Sequence, residues 1–169
     1  MTRAAPLLLA AAVAAAAWTA PPGWRTFHDR GVTLRYPPAW HATTTPLTHV
    51  TDPVQVVAIA SYPLPKNNHG DDGCEPKEAL DHLPPTGALL FGWEYPAGSG
   101  FGPPKASDFP PRPARFRLTH VARFECLGPS YGLVFRDHGR FFQIHVVLGR
   151  RASPALRRLV LRILDTFHA

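Results

Sequence analysis

The chain has 169 residues, of which 45% are hydrophobic, and this combination excludes a disordered chain and suits one domain with its own core. Fifteen arginines and three lysines stand against twelve acidic residues, so the net charge is +6. That charge favours anionic surfaces without selecting one of them. Twenty prolines and thirteen glycines indicate many turns and loops. We therefore expect a single globular domain.

The first twenty residues have the layout of a secretory signal peptide. Arg3 precedes an unbroken apolar run from Ala4 to Ala17, and small residues near the end of that run offer cleavage sites. The alternative is a retained membrane anchor, which the short run and the weak hydrophobicity of alanine disfavour. We expect residues 1–20 to be removed, at a cleavage position that the sequence leaves open. Residues 24–168 then form a secreted or cell-envelope domain.

Short strand patterns and turn-rich segments follow one another up to residue 124. Trp24–His28 and Val32–Tyr36 are predicted to form a hairpin, with Arg30-Gly31 as its turn. Val54–Tyr62 is nearly continuous in apolar residues, as in a central strand that is covered on both faces. The elements predicted after it are a polar loop over 63–73, a helix over Glu75–Leu83, a strand over Gly87–Tyr95, an irregular proline-rich loop over Pro96–Pro113, and one or two strands over Arg115–Phe124.

A second hairpin has the clearest pattern in the chain. A two-residue turn at His138-Gly139, with glycine supplying a positive φ, sets the register of the two strands. In that register three apolar cross-strand pairs share one face of the sheet: Phe135 with Phe142, Leu133 with Ile144, and Tyr131 with Val146. A slip of one residue would mix these side chains with polar ones, so the pattern favours this register strongly.

The hairpin leads into a C-terminal amphipathic helix. Ser153 is the expected N-cap, and Pro154 occupies the first helical position, where a missing N–H has no consequence. Large apolar residues then recur at intervals of three and four: Leu156, Leu159, Val160, Ile163, Leu164 and Phe167. We expect this stripe to pack against a sheet as part of the core.

Export decides how the two cysteines are interpreted. In an oxidising compartment Cys74 and Cys126 are most simply one disulfide, whereas in the cytosol they would be two buried thiols. A bridge that closes a loop of this length stabilises a domain by roughly 4 kcal/mol in the chain-entropy description. We expect the disulfide.

Catalytic and metal-binding motifs are weak in this chain. The nine histidines form neither a helical i, i+4 pair nor a close Cys/His group, and the Asp-rich loop around His69 is of a kind that is usually only solvated. There is no Gly-x-Ser-x-Gly elbow. Cys126 next to Glu125, with His120 or His145 as base, is a conceivable nucleophile, but a disulfide explains that cysteine more simply. The sequence therefore predicts no catalytic residue, no metal and no cofactor.

Five arginines form the remaining candidate site, at the start and on the outer side of the C-terminal helix. They are Arg150, Arg151, Arg157, Arg158 and Arg162. Arg151, Arg158 and Arg162 are predicted to share a face directed away from the apolar stripe. Such a face suits an anionic lipid, an anionic polymer or an acidic partner, and its simplest alternative is a solvated helix surface.

Residues 31–40, GVTLRYPPAW, resemble the glycine, strand, Tyr-Pro and Trp opening of PsbP-like domains. The order of predicted elements from about Trp24 to Phe167 is also similar, including the closing helix after the Gly-Arg-Phe-Phe segment. The resemblance implies an α+β fold, an α/β/α sandwich around a mainly antiparallel sheet. It further implies a group of domains that mostly bind proteins or support assemblies, and it transfers no functional residue.

These observations favour an exported, non-enzymatic binding or assembly-support protein of the cell envelope or exterior. Its expected partner is an envelope protein, an anionic polymer or a lipid surface. Nucleic acid is disfavoured by export and by the lack of a binding motif. The alternatives are a secreted hydrolase or transferase whose site no motif reveals, and a structural domain of a larger envelope assembly.

Overall fold

A computed structural model describes residues 21–66, 73–100, 104–119, 121–124 and 127–169. The elements are β1 (Arg25–Asp29), β2 (Val32–Tyr36), β3 (His41–Ala42), β4 (Val54–Ala60), α1 (Lys77–Asp81), β5 (Ala88–Glu94), β6 (Val121–Phe124), β7 (Gly128–Asp137), β8 (Arg140–Leu148) and α2 (Pro154–Asp165). The predicted signal peptide lies outside these residues. Within them, no helix combines the length and hydrophobicity needed to cross a bilayer.

The fold is α+β, as predicted, and is built on one six-stranded antiparallel sheet. Its strand order is β3-β4-β5-β8-β7-β6, and β1 and β2 form a separate two-stranded hairpin. The central strands β4 and β5 are almost entirely buried, because the side chains on both faces of the sheet are covered by other parts of the chain. The prediction that the strand starting at Val54 is covered on both faces is confirmed.

One face of the sheet is covered by α2 and by the β1–β2 hairpin. Val160, Ile163 and Leu164 of α2 are fully buried there, together with Leu34 of β2 and Phe135 of β7. Rings pack edge to face in this layer, with Phe135 and Phe167 centroids 5.0 Å apart. The predicted apolar stripe of the C-terminal helix is therefore core.

The opposite face is covered by the short helix α1 and by neighbouring loops. Ala79 of α1 packs there with Tyr62, Phe91 and Trp93, and the Tyr62 hydroxyl donates to the Ala79 carbonyl at 2.6 Å. Helix α1 is shorter than the predicted span from Glu75 to Leu83. Its N-cap is Pro76, whose side chain has no oxygen to accept from the first turn, so no side-chain hydrogen bond stabilises this end of the helix.

The β7–β8 hairpin has the predicted register. The three apolar pairs named above are cross-strand partners, and His138 and Gly139 both have positive φ, 46° and 78°, as a type I′ turn requires. Arg140, the first residue of β8, makes a two-point ion pair with Glu94, with Nε–Oε1 2.8 Å and Nη2–Oε2 2.6 Å. The same guanidinium donates to the Arg30 carbonyl at 2.9 Å and so joins the turns of the two hairpins.

The segment predicted as strand over Arg115–Phe124 forms a strand only at its end, as β6. Near Phe116 the chain leaves the sheet, because its backbone N–H donates to Asp165 Oδ1 at 2.8 Å and its ring packs 5.1 Å from Phe135. The expectation of strand over residues 115–119 is therefore wrong. Burial of Phe116 against the core decides the path of these residues.

Candidate functional site

The five arginines predicted as a site are all exposed, and we call them the arginine face: Arg150, Arg151, Arg157, Arg158 and Arg162. The last three lie on α2, whose N-cap Ser153 accepts from the Leu156 N–H at 3.1 Å, as predicted. Since residues 160, 163 and 164 face the core, the helical repeat directs Arg158 and Arg162, one turn apart, away from it.

Arg151 does not share that helix face, contrary to the prediction. Because α2 begins at Pro154, Arg150 and Arg151 lie in the turn before it. This turn is fixed to the loop after α1, since the Arg151 N–H donates to the Pro85 carbonyl at 2.7 Å and the Gly149 N–H to the Gly87 carbonyl at 2.9 Å. The arginine face therefore combines a helix surface with an anchored turn.

The arginines differ in how strongly the fold restrains them. Arg157 donates to the Tyr131 hydroxyl at 2.5 Å, and its guanidinium lies 5.4 Å from the centre of the Tyr131 ring. In the described part of the chain, no ion pair joins a carboxylate to Arg150, Arg151 or Arg158. Asp165 Oδ1, at the end of α2, accepts from the Phe116 N–H at 2.8 Å. The positive charge of Arg150, Arg151 and Arg158 is thus not neutralised by an ion pair with a described carboxylate.

An open groove of about 450 Å³ lies beside β7. It is lined by the irregular segment 110–119 and by residues 132–134 of β7. The groove lies where pairing to β7 is interrupted. Strand β6 pairs with β7 as far as Tyr131, and Pro111 forms a bridge to Arg136, so residues 132–134 lie between the two contacts. Exposed Arg115 and Arg117 belong to the same segment, which contacts the end of α2.

A buried polar network on the opposite sheet face was missed by the sequence analysis. It joins Tyr95, Gln143, His145 and Ser130, and the last two side chains are essentially inaccessible, at 0% and 2% exposure. Burial lowers the pKa of His145 to about 4, so its imidazole is neutral near pH 7. The Ser130 Oγ lies 3.1 Å from His145 Nδ1, a distance that also occurs in hydrolase dyads.

Hydrogen bonds link the four side chains of this network. Burial raises the pKa of Tyr95, whose hydroxyl donates to Gln143 Oε1 at 2.7 Å. The Gln143 amide nitrogen lies 3.0 Å from His145 Nε2, so both ring nitrogens of His145 have a polar neighbour. Because His145 and Ser130 are almost inaccessible to solvent, we interpret the network as one that satisfies buried polar groups.

Several candidate residues fall outside the described part of the chain. They are Glu125 and Cys126, His120, and the Asp-rich loop around His69. None of the described cysteines is free, but the predicted Cys74–Cys126 bridge stays a prediction because Cys126 is not among the described residues.

Comparison with known proteins adds no family to this description. The chain matches no protein-family model, no curated protein and no solved structure. The resemblance of residues 31–40 to PsbP-like domains therefore stays a prediction.

Proposed function

We propose that this chain is an exported, non-enzymatic protein of the cell envelope or exterior that binds an anionic partner through the arginine face. The observation that carries the proposal is the exposure of all five arginines on one helix and the turn before it. A basic N-terminal region followed by an apolar run supports export. The burial of Ser130 and His145, which are almost inaccessible to solvent, argues against the alternative of a Ser/His hydrolase at this place.

The chemistry of the face favours phosphate or carboxylate groups that are repeated along a surface or polymer. A guanidinium donates two parallel hydrogen bonds to such groups, and arginine is better suited to this geometry than lysine. The apolar side of α2 is committed to the core through Val160, Ile163 and Leu164. We therefore expect binding to depend on charge, without insertion of the helix into a bilayer. Affinity should decrease with added salt, because the Debye screening length decreases from about 8 Å at 0.15 M to about 3 Å at 1 M.

Charge reversal tests the proposal. The double variant Arg151→Glu/Arg158→Glu removes two exposed cations that make no ion pair with the described carboxylates. Each basic residue near an anionic surface contributes roughly 1 kcal/mol, so we expect affinity to decrease about 30-fold or more. The measurement is co-sedimentation of the mature protein with phosphatidylglycerol vesicles and, separately, binding to a poly(glycerol phosphate) polymer.

A matched control separates the face from net charge. Arg25→Glu/Lys105→Glu makes the same change in charge at two other exposed positions. Equal losses in both double variants, or unchanged binding of the first, would contradict the proposal. Intact-mass analysis of protein recovered from an exporting host checks removal of the N-terminal segment and the predicted bridge.

A further inference from the structure

Two neighbouring side chains and one from the tail after α2 meet at the tip of the β7–β8 hairpin. They are Asp137, His138 and His168, and their ligand atoms all lie within 4.8 Å of one another. Asp137 is half-buried, whereas the two imidazoles are exposed. The geometry points to a binding site for a divalent transition-metal ion, Zn²⁺ or Cu²⁺, with the Asp137 carboxylate and the two imidazoles as ligands. This site shares no residue with the arginine face and does not depend on the function proposed for it.

The hairpin turn places the first two ligands side by side. His138 occupies the first turn position with φ 46°, in the left-handed region where asparagine and glycine are favoured. This conformation brings His138 Nδ1 to 3.3 Å from Asp137 Oδ1. Two ligands of one tetrahedral zinc ion are separated by about 3.4 Å, given metal–ligand distances near 2.1 Å. The Asp137–His138 pair already has the spacing of two ligands on one metal.

The tail after α2 brings the third ligand to the same place. His168 is held by a backbone bridge to β2, in which its N–H donates to the Thr33 carbonyl at 3.0 Å and its carbonyl accepts from the Thr33 N–H at 2.8 Å. The next residue, Ala169, donates its N–H to Asp137 Oδ2 at 3.3 Å. As a result, the His168 ring lies 5.1 Å from the His138 ring, at 88° to it. The backbone thus fixes the third ligand without using its imidazole.

The ligand set indicates the class of metal. Two imidazoles with one carboxylate suit zinc and copper, whereas magnesium and calcium prefer oxygen ligands alone. Three protein ligands leave a coordination position for water. Arg140 is a cation close to the site in sequence, and its guanidinium is bound to Glu94, with Nε–Oε1 2.8 Å and Nη2–Oε2 2.6 Å. Because Glu94 pairs directly with that guanidinium, Asp137 keeps an oxygen for the metal, and we expect a micromolar Kd.

Metal titration of the tag-free protein tests the site. We expect one equivalent of Zn²⁺ to bind in calorimetry, and bound Cu²⁺ to show coupling to two imidazole nitrogens in its electron paramagnetic resonance spectrum. His168→Ala and His138→Asn are each expected to weaken binding at least about 10-fold. His138→Asn is the more informative variant, because asparagine keeps the left-handed turn conformation and the fold is expected to remain intact.

Controls separate this site from general histidine binding. His28→Ala and His41→Ala remove two other exposed imidazoles and are expected to leave stoichiometry and affinity unchanged. Circular dichroism of every variant verifies folding. The site is refuted if wild-type protein shows no saturable binding up to millimolar metal, or if His138→Asn and His168→Ala bind as the wild type does.

Discussion

The buried histidine on the second sheet face makes stability sensitive to mild acid. The unfolded chain protonates this imidazole below about pH 6.5, whereas burial lowers the pKa of His145 in the folded protein to about 4. Between those values the unfolded state binds more protons, so the free energy of unfolding decreases as pH decreases. The His145 contribution amounts to about 3 kcal/mol over the whole window and about 2 kcal/mol by pH 5.

Urea unfolding of the wild type and of His145→Asn, measured between about pH 7.5 and pH 4.5, isolates this contribution. The variant is expected to be less stable near neutral pH, because Gln143 and Ser130 lose a ring partner. Its stability should nevertheless decrease less steeply with acid than that of the wild type. His28→Asn, at an exposed position, controls for loss of a histidine elsewhere and should keep the wild-type slope. Parallel pH profiles of wild type and His145→Asn would refute the reasoning.

Substitutions at two positions, Gly149 and Ser153, probe how α2 is anchored. Gly149→Ala places a Cβ against the backbone carbonyls of Pro84 and Pro85, which cannot move as a side chain can, so we expect a loss of about 3 kcal/mol. Gly98→Ala meets nothing within 4 Å and should leave the thermal midpoint nearly unchanged. Ser153→Ala removes the N-cap acceptor and should lower the free energy of urea unfolding by about 1 kcal/mol, whereas Ser153→Asp keeps an acceptor and should restore most of it. A Ser153→Ala variant as stable as the wild type would show that the cap contributes nothing.

The sequence predicts those parts of the fold in which local chemistry and hydrophobic period agree. The β7–β8 register follows from a turn with glycine and from three apolar pairs, and the structure has that register. Helix α2 begins after the expected cap and buries the expected stripe. In both elements short-range signals and long-range packing require the same conformation.

Prediction fails where tertiary contacts decide the structure. The alternation of apolar and polar residues around Phe116 is typical of a strand. In the structure this segment lies outside the sheet, where the Phe116 N–H donates to Asp165 Oδ1. His145 alternates with apolar neighbours, a pattern typical of a strand residue that faces solvent. It is buried only because the sheet face on which it lies is covered by other parts of the chain. His138 and His168 are thirty residues apart, so no local sequence spacing predicts that their side chains lie close together. Sequence analysis that considers one segment at a time cannot detect contacts between segments that are distant in the chain.

The contact between the first hairpin and the end of α2 sets an order on folding. The Arg35 N–H donates to Thr166 Oγ1 at 2.8 Å, and Thr33 pairs with His168 beside it. Leu34, fully buried, shares its core cluster with Ile163 of the helix. Strands β1 and β2 therefore complete their burial only against α2, which follows them by more than 100 residues in the chain. A chain in which α2 has not yet been synthesised therefore holds a hairpin that is not fully buried, and native packing of this layer requires α2.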